Sequence, residues 1–233
     1  MADRYYSEFP ISGDFVPLGG PEAHHLTHVM RAKPGTKVVL FDGTGFEFDA
    51  EIVRVGRAEV ELAVHSSRAV DRELPIDVTL AVALPKGDRQ RWLVEKATEL
   101  GVARIVPLQT ARSVAKTTPQ VLKRLHRSVV EASKQCGRNR LLEISPSQSW
   151  AEFVAAGREV PVRLLAHPYT ADHHHSTTLA RSGAVQLAIG PEGGFTEAEV
   201  SLATEAGWQA VTLGPRILRV ETAAILLTAM LIQ

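Results

Sequence analysis

Cysteine is almost absent from this chain of 233 residues. Cys136 stands alone, which excludes an intramolecular disulfide and a multi-cysteine zinc site and suits a reducing compartment. Long apolar runs are missing too. The longest, near 223–232, is broken by Thr228 and falls short of the roughly 20 residues that a membrane helix requires. The opening MADRYYSEFP holds no apolar core, so no secretory leader, no membrane partner and a cytoplasmic location are expected. Net charge is also lacking, with 26 Lys+Arg against 26 Asp+Glu. A hydrophobic content of 45% nevertheless excludes a disordered chain, and 22% charged residues are too few for a coiled coil. The length allows one large domain or two ordinary ones.

The zero balance conceals an asymmetry. Residues 1–74 carry a net charge of −4, residues 75–150 of +7 and residues 151–233 of −3. Between 116 and 140 stand Lys116, Lys123, Arg124, Arg127, Lys134, Arg138 and Arg140, with Glu131 the only acid. A short charge run reads as a solvated helix face. Six net positive charges in 25 residues of a neutral chain point instead to a polyanion-binding surface, with nucleic acid the leading candidate and a phosphorylated metabolite left open.

Two patterns divide the chain. KVVLFDG, FEFDAEIVRV and AEVELAV, within 37–66, alternate like half-buried antiparallel strands and are separated by turn signals at Pro34-Gly35, Asp42–Gly45 and Gly56. A short helix is predicted at 21–31, and the whole predicts a small β-barrel over 1–70, a class often used to hold nucleic acid. SSRAVDREL at 66–74 reads as the linker. From 75 to 233, β-branched runs at 77–84, 104–108, 162–167, 184–190 and 210–214 alternate with helical periods near 88–100 and 119–136, from 197 and from about 220. That alternation predicts an α/β domain with a mostly parallel sheet covered on both faces.

Chemistry concentrates in LAIGPEGGFTEAEV, 187–200. An apolar strand runs into a glycine loop, and Thr196 and Glu199 form a capping box that opens the next helix, with Phe195 and Val200 as a hydrophobic staple. Ligands bind at such strand ends in open α/β sheets. The loop lacks the lysine and hydroxyl of a P-loop, and it lacks G-x-G-x-x-G. LGPRILRVETAA, 213–224, repeats the order of strand, glycine, polar loop and helix, bringing Arg216, Arg219 and Glu221 toward the same strand ends. No metal is expected. His24 and His28 lack a third ligand, and His173–His175 read as a solvated loop. Cys136 reads as a packing residue rather than a nucleophile.

IGPEGGF (189–195), LGPRILRVETA (213–223), EKATELGVARIVPL (95–108) followed by Arg112, EASKQCGRNR (131–140) and HHLTHVMR (24–31) together resemble the RsmE family. Its members are SPOUT-class methyltransferases that modify N3 of a uridine in small-subunit (16S) ribosomal RNA. The resemblance implies a PUA-like first domain (1–70), a SPOUT domain (75–233) with a deep trefoil knot, and S-adenosylmethionine as cofactor. A sulfonium cofactor without phosphate explains a loop with no P-loop lysine.

The resemblance places the cofactor among Leu164, Leu165 and Ala166 at one strand end, Ile189, Gly190, Glu192 and Gly193 in the first loop, and Leu213, Gly214, Ile217, Leu218 and Thr222 around the second. Arg219 is expected to stabilise charge on the uracil oxygens, and Glu221 is the one carboxylate of that loop; the base stays unassigned. RNA contacts are expected at Arg4, His25, Arg31, Lys86 and Arg112, and at Lys123, Arg124, Arg127 and Arg138 of the basic segment. The partners implied are small-subunit ribosomal RNA, naked or in the assembled subunit, and a second copy of the chain, because the final helix is apolar all round and needs cover on more than one face. The alternatives are a non-catalytic RNA-binding protein, for which both glycine loops would be dispensable, and a nucleotide-binding α/β enzyme, which would need a phosphate-gripping side chain.

Overall fold

The structure is a computed structural model that describes residues 3–115, 117–168 and 183–232. The loop His173–His175 and Lys116 lie outside the described residues. Contacts group the chain into two units, Met1–Glu73 with Ser133–Leu141, and Leu74–Ala132 with Leu142–Gln233.

The first unit is built on a five-stranded sheet. Strands β1 (Arg4–Tyr6), β2 (Phe15–Gly19), β3 (Lys37–Phe41), β4 (Phe46–Val55) and β5 (Glu59–Ala69) lie in the order β1-β3-β4-β5-β2. Only the β1–β3 pair is parallel. Among the described residues β1 and β2 do not pair with each other, so the sheet is a half-barrel rather than the closed barrel predicted. The alternation performs as its pattern dictates: Val38, Leu40, Phe48, Ala50, Ile52, Val60 and Leu62 share one buried cluster. Two strands escape sequence reading. β1 is three residues long, and β2 contains Pro17, tolerated because β2 is an edge strand. The predicted linker also begins too early, since β5 runs to Ala69 and pairs Ser66–Ala69 with β4.

A buried carboxylate explains that extension. Glu47 on β4 is 3% exposed and accepts from Arg4, Arg68 and Arg72. Burial pushes its carboxyl up, but hydrogen bonds from Arg72, Arg68 and Arg4 outweigh this and hold it at about 2. Arg4 also donates to Asn139 Oδ1 at 2.6 Å, and Asn139 Nδ2 donates to the Val70 carbonyl at 3.1 Å. This network ties residues 133–141 into the first unit.

The predicted helix at 21–31 is two pieces: α1 (Gly20–His24) and a π-helical turn, His25–Val29, closed by Met30 N–H donating to the His25 carbonyl at 3.0 Å.

The second unit holds a seven-stranded, all-parallel sheet: β6 (Ile76–Val82), β7 (Arg104–Gln109), β8 (Glu143–Ile144), β9 (Gln148–Ser149), β10 (Val162–Ala166), β11 (Gly183–Ile189) and β12 (Gln209–Val211). The order is β12-β10-β11-β6-β7-β8, with β9 also on β7. Its helices are α2 (Asp88–Glu99), α3 (Pro119–Cys136, whose last turn groups with the first unit), α4 (Trp150–Ala156), α5 (Glu197–Glu205) and α6 (Val220–Leu231). On one face Ala81, Leu165 and Ala188 meet an aromatic cluster of Trp150, Phe153, Phe195 and Trp208. Their neighbours Leu80, Leu164 and Leu187 point the other way and are equally buried, so both faces are covered. The short β8, β9 and α4 carry too few residues to show a period. No helix among the described residues is long and apolar enough to cross a membrane.

Candidate active site

Parallel pairing sets the site. Ala166, the last residue of β10, lies opposite Ile189 on one side and Val211 on the other. The two glycine loops, 190–196 and 212–219, therefore leave the same end of the sheet side by side. Between them is a cavity of about 220 Å³, walled by Ala166, His167 and Pro168, by Ile189–Phe195, and by Leu213, Gly214, Arg216, Ile217 and Leu218 with Val220 and Ala223 of α6. Among the described residues Arg216 is the wall's only arginine, and the wall holds no lysine. Ile217 is 76% exposed, an apolar side chain free at the rim. Burial pushes the His167 imidazole down from its usual value.

The first loop is fastened at each step. Gly194 N–H donates to the Pro191 carbonyl at 2.8 Å, a tight turn that Gly194 completes at φ +70°. The Thr196–Glu199 capping box forms as expected, and Phe195 and Val200 share the aromatic cluster. The other Glu199 oxygen accepts from Ala111 N–H at 2.8 Å, and Arg112 Nη1 donates to the Gly193 carbonyl at 2.7 Å. A Cβ added to Gly193 would lie 3.2 Å from Arg112 Cδ, so a larger side chain there collides first with the arginine that holds the loop.

A third arginine was not singled out by the sequence. Arg89, in the first turn of α2, donates to Glu192 Oε1 at 2.9 Å and lies 3.6 Å from Glu221 Oε2. It thereby links the first loop to the start of α6. Glu221 is 7% exposed and its Oε2 has no hydrogen bond among the described residues.

Of the residues expected to hold a cofactor, Ala166, Ile189, Gly190, Glu192, Gly193, Leu213, Gly214, Ile217 and Leu218 line the cavity. Leu164 and Leu165 are 1% and 0% exposed inside β10 and support the wall from behind. Thr222 is exposed on α6 and is not part of the wall, and Arg219, exposed at the N-cap of α6, stands beside the wall residue Leu218.

The residues expected to meet RNA fall into two groups. Lys86, Lys123, Arg124 and Arg127 are exposed, as is Arg31 on the first unit, and His25 is half-buried there. Arg4, Arg112 and Arg138 instead serve the fold: Arg4 belongs to the Glu47 network, Arg138, 4% exposed, donates to Glu73, and Arg112, though exposed, donates to the Gly193 carbonyl. Sequence alone gives no sign of this, because their partners are distant in the chain. His24 and His28 stack ring on ring at 4.4 Å, and the described residues contain no group of three or more metal-binding side chains. Cys136 Sγ lies 4.0 Å from the Ser133 carbonyl in the last turn of α3.

Residues 72–232 match the RNA methyltransferase domain family, and residues 18–64 match the RNA methyltransferase PUA domain family. The ribosomal RNA small subunit methyltransferase E of Bacillus subtilis is 33% identical over 219 residues, covering 89% of this chain and 86% of that protein. The enzyme of the same name from Neisseria gonorrhoeae, solved with bound S-adenosylmethionine, superposes with a TM-score of 0.88 at 33% identity over 98% of this chain and 96% of its own. A Legionella pneumophila methyltransferase, also solved with its cofactor S-adenosylmethionine, gives 0.93 at 32% identity over 99% and 97%. Matched along almost its whole length in sequence and in fold, this chain belongs to the ribosomal RNA small subunit methyltransferase E family.

Proposed function

We propose that this chain transfers a methyl group from S-adenosylmethionine to N3 of a uridine in small-subunit ribosomal RNA. The observation that carries the reading is the convergence of the two glycine loops on one largely apolar cavity that holds no lysine among its described wall residues. A nucleoside triphosphate would find no lysine and a single arginine, Arg216, among the described wall residues, whereas a flat adenine and a sulfonium cation need apolar walls, backbone partners and room. Gly194 and Gly214, both at positive φ with no atom within 4 Å of a built Cβ, leave that room.

S-adenosylmethionine, when bound, would supply an electrophilic methyl group: the N3–carbon bond forms as the methyl–sulfur bond breaks, S-adenosylhomocysteine leaves, and the N3 proton passes to water, with no protein nucleophile. Ile189, Leu213 and Leu218 would hold the adenine, with the Gly190–Gly194 backbone as its polar partner. Arg89 fixes the first loop against α6 through Glu192 and Glu221, so Glu221 acts as a positioning residue. Arg219, free at the α6 N-cap, stabilises negative charge on the uracil oxygens as the proton leaves. Lys86, Lys123, Arg124 and Arg127 hold phosphates, and the target base is unpaired or flipped to free its N3 edge.

The same reading includes the deep trefoil knot and the homodimer. In support of the first, β12 lies beyond β10 from β11, so the segment after β11 crosses back past the strand before it. In support of the second, α6 buries Ala224, Leu227 and Leu231 but leaves Leu226 and Met230 38% and 36% exposed, an apolar face that a second copy covers. Calorimetry tests the site: S-adenosylmethionine binds and ATP does not, and the reverse preference overturns the reading.

A further inference from the structure

The first unit contains a second hollow, of about 250 Å³, walled by Asp3, Tyr5, Leu26, Met30, Arg31 and Lys33 with the turn before β3 and its Val38. Four features set it apart from an ordinary surface dent. Tyr5 is 0% exposed, yet its hydroxyl has no hydrogen-bond partner among the described residues, and neither has Nδ1 of His25, whose ring lies 5.8 Å away. A buried phenol that folding leaves unpaired is a donor held for something else. Arg31 is the only non-glycine residue at positive φ, +51°, among the described residues, a position that favours glycine. It follows the π-helical turn His25–Val29, and both irregularities are of the kind that persists at functional sites. Neither Arg31 nor Lys33 is paired with an acid among the described residues, although Asp3 stands on the same wall.

The wall thus offers one carboxylate acceptor, one phenol donor, two unpaired cations and the apolar faces of Leu26 and Met30. A base edge with adjacent N–H and C=O groups matches Asp3 and Tyr5, an aromatic face matches Leu26 and Met30, and a phosphate matches Arg31 and Lys33. A carboxylate side chain of a protein partner would satisfy the cations but would offer Asp3 no donor and bring a second negative charge beside it. We propose that this hollow binds a single unpaired nucleotide of RNA, base inward and phosphate on Arg31 and Lys33, as an anchor separate from the methyl-transfer cavity. The inference rests on the reading of the chain as an RNA-modifying enzyme and adds a recognition pocket to it.

The full chain labelled with 3-fluorotyrosine, which has three tyrosines to report, is titrated with uridine 5′-monophosphate, with uridine and with ribose 5-phosphate, and Tyr5→Phe assigns the signal. The Tyr5 resonance is expected to shift with the nucleotide and less with either half. Tyr5→Phe and Arg31→Gly are then compared with the parent for binding of a single-stranded uridine-rich RNA. Each is expected to bind about five- to tenfold more weakly, the worth of one lost polar contact. Melting temperature is expected to hold or rise, since folding uses neither group and glycine relieves the backbone at 31. No Tyr5 shift, or a Tyr5→Phe protein that melts lower and binds RNA normally, overturns the pocket. S-adenosylmethionine calorimetry on the same sample separates the two readings: binding there with no Tyr5 shift refutes the anchor alone, and no binding there with a Tyr5 shift refutes the enzyme alone.

Discussion

Gly190 is the point at which one methyl group tests the cavity. A Cβ built there lies 2.9 Å and 3.0 Å from Cδ2 and Cε2 of Phe195 and 3.1 Å from its backbone nitrogen. Phe195 cannot give way easily, because it is 4% exposed and its ring sits 4.7 Å from that of Trp150 within the aromatic cluster. Either the ring is forced out of place or the loop moves off the strand end. Overpacking of this kind costs about 1–3 kcal/mol, and where the loop moves, that cost appears as weaker cofactor binding at about tenfold per 1.4 kcal/mol. Gly190→Ala is therefore expected to bind S-adenosylmethionine about 10- to 100-fold more weakly by calorimetry, with a measurable drop in urea stability. A Gly190→Ala protein with parental affinity and stability refutes the reasoning.

Removing Arg89 by Arg89→Ala frees Glu192 and leaves the buried Glu221 unpaired, so about 1–2 kcal/mol of stability is lost and the KM for S-adenosylmethionine rises; unchanged urea unfolding and KM would dismiss the link. The Glu47 carboxyl, held at about 2 against 4.5 unfolded, stabilises the first unit fully above about pH 4.5 and loses that contribution, about 3 kcal/mol at most, as pH falls toward about 2. Urea unfolding across that range should show a slope that Glu47→Gln lacks, and equal slopes would contradict it. Reversing Lys123, Arg124 and Arg127 to Glu should weaken RNA binding, most at low salt, and leave S-adenosylmethionine affinity alone; filter binding at parental strength would remove that surface. Sedimentation equilibrium should give twice 25.3 kDa, and a monomer at every concentration would leave the exposed face of α6 without its proposed cover.

What sequence reveals here follows the range of the interactions. The capping box at Thr196 and Glu199 and the alternation of β3 to β5 are local, and each forms where its pattern places it. The cavity follows from one further step, since strand-end glycines in a parallel sheet come together when β10 lies between β11 and β12. The misses are long-range. Glu47 recruits Arg4, Arg68 and Arg72 together with Asn139 and so removes Arg4 from the solvated cations. Arg138 disappears in the same way beneath Glu73. Arg89 gains its place from Glu192, 103 residues away. Composition sees seven basic residues between 116 and 140, and only the fold separates those that face water from those that hold the protein together.

Methyl transfer to N3 is tested most directly by incubating the chain with S-adenosylmethionine and small-subunit ribosomal RNA, as naked RNA and as assembled subunits, from cells lacking the modification. The RNA is then digested to nucleosides for liquid chromatography and mass spectrometry. The expected product is 3-methyluridine in a cofactor-dependent amount, from at least one of the two substrates. Methyl groups found only on other atoms, or on neither substrate in a sample that binds S-adenosylmethionine, would contradict it.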